Sequence, residues 1–83
     1  MLSSGRKEQH MPRRIEVQGY SLVISSTALE RRWRGVVHLI DSDGRHVRTI
    51  ETRVDHATSD DAEKVAAGLG EQAARHLAGM RLH

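Results

Sequence analysis

Six histidines stand in an 83-residue chain that has no cysteine, so a transition-metal site would have to be built on imidazole and carboxylate rather than thiolate. Zinc and its neighbours are held by three or four side chains converging to about 2 Å from one point, and a local His-x-His or His-x3-His pair commonly supplies two of them. Neither spacing occurs. His10 lies near the start, His83 is the last residue, and twenty positions separate His56 from His76. No metal site and no cofactor is expected. Catalysis would need a nucleophile beside a base, paired carboxylates, or a loop that cradles phosphate. Gly68-Leu69-Gly70 falls inside a helical pattern rather than after a strand. The acids Asp60, Asp61 and Glu63 are accounted for by a helix start, where the dipole favours negative charge. The chain is expected not to be an enzyme.

Arg31-Arg32-Trp33-Arg34 is the other run with chemical potential. Guanidinium groups there could hold phosphates while the indole stacks on a base. Strand alternation gives another assignment, with Trp33 in the core and its arginine neighbours in solvent. The chain has one Trp, one Tyr and no Phe, so the core has first claim on that ring. Charge is unevenly placed behind a formal total of +2. Arg6, Lys7, Arg13 and Arg14 face only Glu8 in the first fourteen residues, whereas the remainder is nearly neutral. Weak nucleic-acid binding through this basic tail and the sheet arginines is therefore the alternative reading of function.

The elements that position these residues follow from periodicity. Residues 1–13 read as a disordered basic tail and 14–83 as a single α+β domain; Met11 is a candidate alternative start. Ile15 and Val17 alternate in one phase, and Tyr20, Leu22 and Ile24 in the other. Residues 15–24 are thus either one strand with a bulge at Gln18-Gly19 or two strands with a break there. Ser25 to Glu30 reads as a connection. Trp33 to Ile40 is apolar in both phases and suits a central strand. Asp43-Gly44 then predicts a two-residue hairpin turn. That turn pairs Val37 with Ile50, Ile40 with Val47 and Trp33 with Val54. It also sets His38 and His46 on opposite faces, with His46 beside Asp41.

Thr58-x-x-Asp61 predicts a helix cap, and Val65, Ala66, Leu69, Ala73, Leu77 and Met80 form the expected apolar stripe. The fold class is α+β: a three- or four-stranded antiparallel β-meander with one C-terminal helix packed on one face (β-β-β-α). Gly19-Tyr20, Trp33, Asp43-Gly44 and Thr58-x-x-Asp61-Ala62, in that order over residues 15–80, resemble small single-domain proteobacterial proteins of unknown function. The resemblance implies a β-meander closed by one helix and carries no activity, cofactor or catalytic residue with it. The order of elements is also similar to part of a double-stranded-RNA-binding domain. Here, however, the preceding helix is missing and acids open the final helix.

One amphipathic helix can roof one face of a sheet and not two. Arg34, Val36, His38, Ile40, Val47, Thr49 and Arg53 are left on the other face and form the candidate partner surface. A protein partner or a second copy of the chain is expected to use it. The N-terminus has no apolar run resembling a signal peptide, and no stretch approaches the ~20 apolar residues of a membrane span. The expectation is a cytoplasmic protein with no membrane partner.

Overall fold

Gln18 and Gly19 both adopt positive φ, 54° and 85°. Two such residues in succession make the tight turn whose twist matches that of paired strands. In the computed structural model, which describes residues 12–81, this turn joins β1 (Arg13–Val17) to β2 (Tyr20–Leu29), with Val17 opposite Tyr20. Residues 15–24 are thus two strands rather than one with a bulge. Residues 25–29 continue β2 instead of forming the connection that their composition suggests. Ser25 to Leu29 pair with Val36 to Arg32 of β3 (Arg32–Ile40). A long neighbouring strand provides a full ladder of partners, and this outweighs weak local propensity. β4 (His46–Glu51) completes a four-stranded antiparallel sheet in the order β1-β2-β3-β4, and α1 (Ser59–Arg81) follows. The chain is an α+β meander with one C-terminal helix.

The β3–β4 hairpin keeps the expected pairing of Val37 with Ile50 but not that of Ile40 with Val47. The turn uses three residues, Ser42, Asp43 and Gly44, between Asp41 and Arg45. The Asp41 N–H donates to the Arg45 carbonyl at 2.9 Å, and Gly44, at φ 84°, donates to the Asp41 carbonyl at 3.0 Å. The Asp41 carboxylate accepts the N–H groups of Asp43 and Arg45, both at 2.9 Å. This longer turn shifts the outer register by one residue, and a bulge between Leu39 and Ile40 restores it further in. Ile40 therefore faces His46, and Val47 becomes the extra residue. At the opposite end, Trp33 pairs with His56 rather than Val54, through backbone bonds of 2.8 and 2.7 Å. Arg53, Val54 and Asp55 bend away between Thr52 and His56, and Arg53 and Val54 are exposed.

Thr58 caps α1, its hydroxyl accepting the Asp61 N–H at 3.1 Å. The helix lies on the face that carries Tyr20, Leu22, Ile24, Val37 and Leu39, which are buried with Ala66 and Ala74. Its contact line keeps only part of the expected stripe, with Ala66, Ala73 and Leu77 packed on the core. Ala62, Ala66, Gly70 and Ala74 meet the sheet, while Val65 and Met80 are 41% and 59% exposed. Close approach explains the rotation. A Cβ on Gly35 would overlap the Ala62 carbonyl oxygen and stand 2.8 Å from its carbon; one on Gly70 would stand 2.8 Å from a Val37 methyl. Only the small-residue line lets the helix descend that far, and larger side chains are turned to its flanks. Trp33 is half-buried at the rim instead of anchoring the core, a role taken by Leu22, Ile24, Val37 and Leu39.

Glu63, 6% exposed, fixes the first helical turn to the other elements. It accepts the Ser26 hydroxyl of β2 at 2.7 Å and lies 3.7 Å from the Arg13 guanidinium of β1. Arg13 thus belongs to the sheet and not to the tail. Residues 1–11 of that expected tail, with His10 and Met11, lie outside the described residues, as does His83. No helix among the described residues is long and apolar enough to cross a membrane.

Candidate interaction surface

Strand alternation places Arg34, Val36, His38 and Ile40 of β3 on the sheet face opposite α1, since Gly35, Val37 and Leu39 are buried beneath the helix. The pairing ladder extends this face in both directions. β2 contributes Ser21, Val23, Ser25 and Thr27, set against Ile40, His38, Val36 and Arg34. β1 adds Arg14 beside Val23 and Glu16 beside Ser21. β4 adds His46, Thr49 and Glu51, opposite Ile40, His38 and Val36. Among the described residues no other element lies over this face, and Val23, Val36, His38 and Ile40 are only half-buried.

Five of the seven expected surface residues are brought together: Arg34, Val36, His38, Ile40 and Thr49. Val47 has no partner on β3 because it is the bulged residue, and Arg53 sits in the bend after β4. The whole contribution of β2 and β1 escaped sequence reasoning, although the Gln18-Gly19 turn signalled it. His46 escaped as well. The bulge carries its side chain to the His38 side of the sheet, overturning the expectation that the two histidines lie on opposite faces. Their rings have centroids 5.4 Å apart, with His38 Nδ1 3.4 Å from His46 Nε2. Thr49 Oγ1 lies 2.8 Å from the first nitrogen and 2.7 Å from the second. His46 therefore turns to His38 and Thr49, while Asp41, its expected partner, is occupied by the turn.

The charges on this face are balanced and largely paired. Arg34 donates to Asp55 at 3.1 Å and lies 3.8 Å from Glu51, and Glu16 accepts the Ser21 hydroxyl at 2.7 Å. Arg34 is therefore already neutralised where a phosphate would have to compete for it. Arg32 is also engaged, donating to the Asp55 carbonyl at 3.5 Å. The shallow depression there, lined by Leu29, Glu30, Arg31, Arg32 and Asp55, mixes both signs of charge. It gathers no nucleophile with a base. The open face can thus offer apolar contact and paired charge, which suits a protein surface better than a polyanion. Comparison of the chain with family models, curated proteins and solved structures finds no match.

Proposed function

We propose that this domain is a non-enzymatic association module that pairs with a second copy of itself, in the cytoplasm, through the open sheet face. The observation that carries the reading is Val23, Val36 and Ile40 standing half-buried on a face that no other described element covers, between Arg14 with Glu16 at one side and Arg34 with Glu51 at the other. A surface that holds both signs of charge can meet its own two-fold image without like charges being forced together. Size adds a motive. A chain this short hides only about 60–65% of its unfolded surface, and here the largest fully buried side chains are Leu22, Ile24, Leu39 and Val37. Burying a second face between two copies offsets so thin a core.

Ile40→Glu tests this in zinc-free buffer containing EDTA. Wild-type chain is expected to sediment with a mass that rises with concentration, and the variant to remain a folded monomer with an unchanged circular dichroism spectrum and a melting temperature that, unlike that of wild type, does not rise with concentration. A wild-type chain that stays monomeric into the high micromolar range, or a variant that associates equally well, refutes the proposal.

A further inference from the structure

The histidine pair on the open face has the geometry of half a metal site. A tetrahedral zinc ion with Zn–N bonds of about 2.0–2.1 Å holds two imidazole nitrogens about 3.3–3.4 Å apart. His38 Nδ1 and His46 Nε2 are 3.4 Å apart, so binding one ion between them asks for almost no change in their spacing. Both nitrogens already converge on one polar atom, Thr49 Oγ1. Rotation of Thr49 about χ1 to another staggered position clears that point. The tautomers this requires, with the proton on Nε2 of His38 and on Nδ1 of His46, are both ordinary neutral forms of imidazole.

Two ligands leave a tetrahedral ion half-coordinated. Among the described residues no group of three or more His, Cys, Asp or Glu gathers anywhere that could complete it. A second copy could. Stacked sheets lie ~10 Å apart, and an imidazole standing on a strand reaches roughly half that distance. An ion held by one pair would thus sit near the mid-plane, within reach of the same pair from a two-fold-related chain. We propose that His38 and His46 form a zinc half-site, completed by His38 and His46 of a second copy to give four imidazole ligands and a zinc-bridged dimer. This rests on the open face being the contact between copies and names the ion that would regulate it.

Zinc titration of the full chain, read by competition with a chromogenic chelator and by sedimentation, tests the proposal. The expected stoichiometry is one zinc per two chains, with dimerisation that EDTA weakens. Each of His38→Gln and His46→Gln should lower zinc affinity by on the order of tenfold or more, since even partners that only orient a ligand cost about that much. Thr49→Val, which removes the hydroxyl but neither ligand, should retain zinc-dependent dimerisation. Binding of one zinc per monomer, absence of zinc binding, or binding that survives the double glutamine variant overturns the half-site. Association in EDTA that Ile40→Glu abolishes but zinc does not strengthen would sink the zinc site alone, leaving the metal-free contact intact.

Discussion

Gly35→Ala is expected to destabilise the domain by about 3 kcal/mol, the upper end of what overpacking usually costs. The added methyl would overlap the Ala62 carbonyl oxygen, stand 2.8 Å from the Ala62 carbonyl carbon and press on the Ala66 methyl at 3.0 Å. Two of those neighbours are backbone and cannot rotate aside, so the first turns of α1 must lift from β3. Lifting them also pulls Glu63 from Ser26, a 2.7 Å bond on the same turn. Gly68→Ala is the matched control, because nothing lies within 4 Å of the methyl it would add. There the better helix propensity of alanine should stabilise the domain by up to about 1 kcal/mol. Urea unfolding of the two variants therefore gives shifts of opposite sign. Similar small shifts for both would mean that the helix does not sit on Gly35.

Leu39→Ala should also cost about 3 kcal/mol, within the range for a buried leucine whose cavity closes only partly. Leu39 is fully buried between β2, β4 and α1. Ile40, its neighbour in sequence, faces the other way, and truncating it to alanine should cost the isolated monomer no more than about 1 kcal/mol. Denaturation midpoints for the pair thus read out which face the helix covers. Equal losses at the two positions would put the roof on the wrong side.

Much of this architecture is legible without coordinates because local and long-range preferences agree. Asp43-Gly44 marks the β3–β4 turn, Thr58 and Asp61 mark the helix start, and alternation along β3 separates the buried face from the open one. What escapes does so for definable reasons. Nothing local to Asp41 announces that its carboxylate will bind two backbone N–H groups and lengthen the turn by a residue. That single residue decides whether His46 faces His38 or the opposite side. Ala66, Ala73 and Leu77 of the helix stripe are legible, but the rest of the contact line escapes because a hydrophobicity count favours Val65, Leu69 and Met80 over Ala62, Gly70 and Ala74, whereas the closeness set by Gly35 favours the small ones. Trp33 is misjudged by the same habit of giving the largest apolar side chain the deepest position. Glu63 reads as one more acid in a helix start, although its length and position carry it to Ser26 and Arg13.

Use of the open face by a second copy can be watched residue by residue. Amide and methyl resonances of the 83-residue chain, recorded from low micromolar to millimolar concentration in EDTA, should shift progressively at Val23, Val36, His38 and Ile40. Val65, Leu69 and Met80 on the helix should stay constant. Spectra that do not change with concentration, or shifts confined to the helix flank, would contradict the account.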